Sequence, residues 1–326
     1  MRHVIVGGGI AGTTLAEELR KRRASDEVVL VSEEQHALYS RVLLPHYIKG
    51  IVPRARVFLK KEAWYASQNI EWLRGIMVES LDGKNKHVLL SDGRELPFDT
   101  LTIATGADAR MIGGEPRGVS YLRTLDDADH LVELLRQTSG DAAVSGGGFI
   151  ACDYLNIFAH AKRPTTLILR GPRMFSRMLD EQSGEMIARH LEARGVRVLC
   201  NAARCDAVGD QELVATAIEG QEISCSLLGM GIGVETNLGW IKNAGVSVST
   251  GVLTNRFLET NTTGIYAIGD VAEFEDITVG RRLIAGNWMN ALSQARTLAR
   301  TLAGEPTTYR LVTSYATNIL GLEIVF

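Results

Sequence analysis

The sequence predicts an α/β protein built on two βαβ nucleotide-binding units, and three observations carry that prediction. A glycine turn stands between an apolar strand and a helix at the start of the chain, in "RHVIVGGGIAGTTLAEEL". The same device recurs in "DAAVSGGGFIACDYL", from Asp141 to Leu155. The short strands beside these turns, "VVLV" among them, are apolar on both faces, as strands of a helix-covered parallel sheet must be.

Composition sets the outer bounds. The 326 residues allow two domains of ordinary size. Hydrophobic residues make up 45% and charged residues 22%, the balance of a globular protein. A net charge of −3 leaves no basic surplus for nucleic acid or an anionic membrane. No apolar run approaches the roughly 20 residues of a membrane span. Met1 and Arg2 lead straight into "HVIVGGG", which leaves no room for a signal peptide, so a cytoplasmic location is expected. Cys152, Cys200, Cys205 and Cys225 form no C-x-x-C and have no histidine cluster at zinc spacing. Inert thiols and no metal site are the expectation.

Along the chain, the first strand and turn lead into a helix in "AGTTLAEELRKRRA", whose Leu15, Ala16 and Leu19 share one face. The strand "EVVLVSEE" completes the first βαβ unit. "KHVLLSDGRELPFDTLTIATGA" predicts a hairpin turned at Asp92-Gly93 and then a buried strand. The second unit runs from "DAAVSGGG" through a helix over 149–161 to "TTLILR". "DEQSGEMIARHLEARGVRVLC" predicts an amphipathic helix ended by Gly195 and then a strand. "NALSQARTLARTLAG" is the last helix. No solenoid repeat or low-complexity tract is present.

Gly7, Gly9 and Gly12 form G-x-G-x-x-G: one glycine for the tight turn, one for close approach of a pyrophosphate, one for helix–strand packing. The helix N-terminus adds unpaired N–H groups and partial positive charge. About 20 residues on, Glu33 ends the next strand, where an acid bonds ribose hydroxyls. The alternative is a tight turn that merely packs.

"LTIATGA" and "TTGIYAIGD" resemble the two further FAD fingerprints of the pyridine nucleotide–disulfide oxidoreductase superfamily, over nearly the whole chain from Arg2 to about Pro306. The resemblance implies two Rossmann-like domains. A discontinuous FAD domain would take residues 1–108 and 240–306, and an inserted NAD(P)H domain residues 109–239. Residues 307–326 would begin a C-terminal interface segment. It also implies that Ala104, Thr105 and Gly106 pack near the dinucleotide, and that Asp270, after Gly269, accepts bonds from the ribityl chain. Ala291 and Gln294 match the family's A-x-x-Q segment, whose helix N-terminus points at the flavin pyrimidine and stabilises negative charge there.

Disulfide reductases and peroxidases of the superfamily carry cysteine near the flavin, just after the first βαβ unit. Here that stretch is "HALYSRVLLPHYIKG", and no cysteine precedes Ile150. Thiol relay through a family cysteine is therefore excluded, which leaves transfer straight from flavin to an acceptor. "LYSRVLLPHY" most resembles nitrite reductase FAD subunits and rubredoxin and ferredoxin reductases. That resemblance implies Arg41 near the flavin edge or pyrophosphate. It also implies a lysine–glutamate pair beside flavin N5, whose places are taken here by His46 and Asp153. A surface arginine and a solvated loop histidine are the alternatives.

The second turn reads Gly146, Gly148 and Ala151, alanine being an allowed third residue. Where NADH enzymes place an acid for the ribose 2′-hydroxyl, "TTLILRGPRMFSR" has Arg170, and a guanidinium can bond a 2′-phosphate in a planar fork. Arg177 resembles a second phosphate-binding arginine of NADPH-dependent glutathione reductases. NADPH is expected over NADH; the alternative for Arg170 is a strand end on the surface.

The expected reaction is electron passage from NAD(P)H through FAD to a protein or small-molecule acceptor: rubredoxin, ferredoxin, a nitrite-reductase module or oxygen. One rival is thiol chemistry at Cys152 or the Cys200/Cys205 pair. The other is a non-catalytic FAD-binding sensor or scaffold with a decayed nicotinamide site, suggested by Thr236 in "GMGIGVETN", where the family has proline. The final "SYATNILGLEIVF" reads as an apolar strand with nothing to pair it.

Overall fold

The computed structural model of the chain describes residues 1–202, 205–312 and 314–326. In chain order, the elements that position the functional residues begin with β1 (Arg2–Val6), α1 (Ile10–Arg22), β2 (Glu27–Ser32), α2 (Leu44–Ile48), β3 (Ile70–Arg74) and β4 (Thr100–Ile103). Next come β5 (Val119–Ser120), α3 (Leu125–Gln137), β6 (Ala142–Ser145), α4 (Phe149–His160), β7 (Thr165–Ile168) and α5 (Glu181–Glu192). The series closes with β8 (Arg197–Leu199), β9 (Leu227–Met230), β10 (Ile265–Ala267), α6 (Trp288–Leu302), β11 (Ala316–Ile319) and β12 (Leu322–Val325).

Two compact units divide the chain. One comprises Met1–Ser40, Phe58–Asp108 and Thr236–Thr313; the other comprises Arg41–Val57, Ala109–Glu235 and Ser314–Phe326. Residues 41–57 and 314–326 thus pack with the second unit, a division that the sequence pattern does not draw.

The first unit contains a parallel sheet in the order β10-β4-β1-β2-β3. β1 lies at its centre, with Val6 opposite Val31 of β2 and Ile103 of β4. Ile5, Val28 and Leu30 pack with Leu15 and Leu19 of α1 and Ala295 and Leu298 of α6. Val4, Val6, Val29 and Val31 pack instead with Leu81, Val88 and Leu90 of an antiparallel meander. Burial on both faces is why these strands read as unbroken apolar runs. The Asp92-Gly93 hairpin forms as predicted, pairing His87–Leu90 with Glu95–Pro97.

The second unit repeats the plan in a parallel sheet of order β8-β7-β6-β9-β5. Thr124 and Asp127 form a capping box at the start of α3, and Asp180 caps α5 by accepting from the Ser183 N–H at 2.8 Å. Gly195, at φ +81°, turns the chain from α5 into β8.

One expectation is overturned at the chain end. The last residues are not an unpaired strand: β11 and β12 form an antiparallel hairpin with Ile319 opposite Leu322. Its two-residue loop, Leu320-Gly321, has φ +48° and +90°, the left-handed pair that a tight hairpin turn requires. Leucine at the first of those positions is an uncommon turn residue, and it hid the hairpin in the sequence.

At the N-terminal edge of β1, the Asp26 carboxylate is buried and takes bonds from the Met1 amino group and Arg23, both at 3.0 Å. It also lies 3.2 Å from His3 Nε2. Burial pushes its pKa up, but the bonds from Arg23, Met1 and His3 outweigh that and hold it well below the usual carboxylate range. A depressed carboxyl contributes stability above its unfolded pKa and loses it as pH falls towards the native one. Asp26→Asn should therefore cost about 1.5–3 kcal/mol near neutral pH in denaturant titrations. The gap between variant and parent should shrink as pH drops below about 4; a constant gap would show that the charge is not what matters.

Candidate functional site: two glycine cradles

In the first unit, the chain leaves β1 at Gly7, whose N–H donates to Val31 O at 2.8 Å. Gly7 has φ +121°, and a Cβ there would lie 2.1 Å from Ala104 O. The turn therefore packs directly on the Ala104-Thr105-Gly106 turn that leaves β4. A Cβ on Gly12 would lie 2.0 Å from Gly7 O, so the third glycine seats α1 against the turn. Gly9 differs: nothing lies within 4 Å of a Cβ built there, so its face is open. Gly9 is also the N-cap of α1, with no side-chain cap on the helix N–H groups. An open backbone with uncapped donors is what an approaching pyrophosphate needs.

Glu33 directly follows β2, two residues beyond Val31, and is exposed. Its pKa is raised by partial desolvation of the carboxyl and by the charges of Asp108 and Glu34. Gly269, at φ +80°, follows β10 and donates its N–H to Gln294 Oε1 at 2.7 Å. A Cβ on Gly269 would sit 3.3 Å from Ala11 and 3.9 Å from Ala291, which joins α1, α6 and the Asp270 turn at one point. Gln294 is fully buried, and its Nε2 has no hydrogen-bond partner among the described residues. Gly7, Gly9, Ala104, Gly269, Ala291 and Gln294 are thereby gathered at the C-terminal ends of β1, β4 and β10. An open glycine face, uncapped donors and an orphaned amide fit a dinucleotide.

The second unit builds the same cradle. Gly146 donates to Ile168 O at 3.0 Å, as Gly7 does to Val31. At φ +132°, a Cβ on Gly146 would lie 2.2 Å from Gly231 O, and Gly148 is open like Gly9. Ala151 is fully buried in the place of Gly12. Counting two residues from each accepting carbonyl puts Glu33 and Arg170 at equivalent positions with opposite charge. Arg170 is exposed, and its side chain has no ion-pair or hydrogen-bond partner among the described residues. Arg177 is exposed in the segment that follows.

Arg41 and His46 belong to the second unit. Arg41 donates to the Arg123 carbonyl. His46 is exposed on α2, and its pKa is lowered by partial desolvation of the ring and by the Lys49 charge. Asp153, on α4, is pushed up to about 7 by burial, against which only the Lys49 charge acts. The charge that acts on Asp153 is that of Lys49. The sequence carried the signal in "HYIKG", a lysine three residues further on.

No thiol is prepared for redox work. All four cysteines are free. Burial pushes Cys152 and Cys225 up to about 12 and raises Cys205 and Cys200, so the reactive thiolates are disfavoured. No helix among the described residues is long and apolar enough to cross a membrane.

The chain is similar to several characterised proteins. It is 30% identical to the rubredoxin–NAD(+) reductase of Pseudomonas putida over 99% of this chain and 86% of that protein. It is 32% identical to the ferredoxin–NAD(+) reductase component of the Pseudomonas putida p-cumate 2,3-dioxygenase system, over 94% of this chain and 76% of that protein. Identity to the nitrite reductase [NAD(P)H] of Bacillus subtilis (strain 168) is 28% over 98% of this chain, but only 40% of that protein is covered. A chain in the crystal structure of the covalent putidaredoxin reductase–putidaredoxin complex matches with a TM-score of 0.93 at 27% identity, over 99% of this chain and 81% of that one. The family model described as pyridine nucleotide-disulphide oxidoreductase matches residues 1–295, and the chain belongs to that family.

Proposed function

We propose that the chain is an FAD-dependent NAD(P)H oxidoreductase that passes electrons to an iron–sulfur protein of the rubredoxin or ferredoxin class, or to a nitrite-reductase module, with no redox cysteine. The observation that carries this reading is the pair of cradles built in one hydrogen-bond register, the first ending in Glu33 and the second in Arg170. The relatives named as rubredoxin and ferredoxin reductases supply the acceptor class.

Bound FAD would supply the redox chemistry, coupling a two-electron nicotinamide donor to the acceptor. The protein's part is to hold and tune. Gly9 and the uncapped N-terminus of α1 would receive the FAD pyrophosphate, Glu33 the adenosine ribose and Asp270 the ribityl hydroxyls. Gly148 and the N-terminus of α4 would receive the nicotinamide nucleotide's pyrophosphate. Asp153, its carboxyl pushed up to about 7 by burial, would hold or release a proton at its carboxyl oxygen.

The guanidinium at the Arg170 position favours NADPH, because the equivalent acid would repel a 2′-phosphate. The relatives named for NAD(+) make this preference a point on which the chain would differ from them.

Three measurements test the reading. In anaerobic stopped-flow mixing, NAD(P)H should bleach the flavin, and a folded variant without all four cysteines should bleach equally and still pass electrons to a rubredoxin or ferredoxin. A parent flavin left oxidised by millimolar nucleotide would sink the proposal. Asp270→Ala should weaken FAD retention through gel filtration by about 1.5–3 kcal/mol, the value of a charge-assisted bond; undiminished retention removes Asp270 from the ribityl site. NADPH should outperform NADH by about tenfold if the phosphate contact contributes at least 1.4 kcal/mol, and Arg170→Glu should reverse the order. Equal or better reduction by NADH in the parent would refute that role.

A further inference from the structure

The two glycine turns are alike in backbone but are supported differently from outside. Ile10, which follows Gly9, packs against the core of the first unit. Its counterpart, Phe149, opens α4 directly after Gly148 and packs against three other aromatic rings. Phe175 lies 5.1 Å from it, Tyr315 5.1 Å and Phe326 5.3 Å, centroid to centroid. The surrounding rings also meet one another, Phe175–Phe326 at 5.0 Å and Tyr315–Phe326 at 5.6 Å, the latter stacked. Phe175 grips the turn itself, since its N–H donates to Gly147 O at 2.8 Å. It does so at φ +51°, a left-handed conformation that is costly for a bulky residue and is kept where surroundings impose it.

Tyr315 and Phe326 flank the β11–β12 hairpin, which α4 and α5 hold in place. Asn156 of α4 acts as a surrogate strand edge: its Nδ2 donates to Asn318 O at 2.7 Å, and its Oδ1 accepts from the Leu320 N–H at 2.9 Å. His190 of α5 has Nε2 3.0 Å from Ile319 O. Ile319 is fully buried.

We propose that the C-terminal hairpin positions the nicotinamide nucleotide: Tyr315 and Phe326 fix the Phe149 ring and so hold the first turn of α4, with its N–H groups, in place for the pyrophosphate. The rings act on the turn and need not touch the nucleotide, so Tyr315 and Phe326 are positioning residues for nucleotide binding and not for FAD. The inference rests on the second cradle being the nicotinamide site.

The test is isothermal titration of NADP+ into the FAD-loaded full chain, alongside stopped-flow reduction by NADPH. Phe326→Ala should weaken NADP+ binding about three- to tenfold, the scale of one or two lost ring contacts. The FAD-to-protein ratio and the limiting rate of flavin reduction should stay at parent values, and Phe326→Tyr should restore affinity. Asn156→Ala, which loosens the hairpin while leaving every ring intact, should shift affinity in the same direction; it carries the test if Phe326→Ala does not fold. Unchanged NADP+ affinity in the folded variant, or FAD lost in step with it, would overturn the proposal. A parent that neither NADPH nor NADH bleaches would fail the functional reading itself; a parent bleached only by NADH would fail the Arg170 role, and the titrations would then be read with NAD+. A parent that bleaches, with variants of parent affinity, would fail only the role of the hairpin.

Discussion

A backbone approach that only a glycine permits underlies both cradles. At Gly7 and Gly146 the chain leaves a central parallel strand with positive φ and lies against the carbonyl of the neighbouring strand's turn, Ala104 in one case and Gly231 in the other. Any side chain there would sit about 2 Å from that oxygen, well inside contact distance. The approach lets each turn stay tight, so the helix begins within three residues of the strand and presents uncapped N–H groups at the sheet's C-terminal edge. The open glycines, Gly9 and Gly148, are useful only because their neighbours are closed. Together they leave the N-terminus of each helix with uncapped donors and no side chain over the turn.

Charge then distinguishes two cradles that the backbone makes alike. Glu33 and Arg170 are equivalent in register and opposite in sign. The carboxylate suits ribose hydroxyls; the guanidinium suits a phosphate. Elsewhere the chain suppresses charge: burial raises the cysteine thiols and brings Asp153 to about 7. With thiolates disfavoured, electron transfer falls to a bound flavin, in keeping with a family member that lacks cysteine before Ile150.

The glycine spacing, the apolar two-faced strands, the amphipathic helices and the sign of residue 170 were all legible in the sequence. They are consequences of local stereochemistry and of which side chains tolerate burial. Glu33 and Arg170 could be placed because a short strand leaves little freedom in where it ends. Lys49 was harder: its relation to Asp153 spans about a hundred residues and follows from the packing of α2 on α4 within the second unit. His46, on the short helix that runs into the turn carrying Lys49, is exposed.

By itself the sequence determined the strands, turns and helices of the two βαβ units, that there are two such units, and that cysteine is absent near the first of them. Short-range rules suffice for these, because turns, caps and periodicity involve neighbours a few residues apart. The tertiary structure decided which residues share a unit. It placed 41–57 and the final hairpin with the second sheet, and brought Tyr315 and Phe326 onto Phe149. Those contacts join residues more than 160 positions apart, and no local pattern encodes them. They exist because apolar rings on a hairpin and at a helix start lose part of their water-exposed surface by packing against each other.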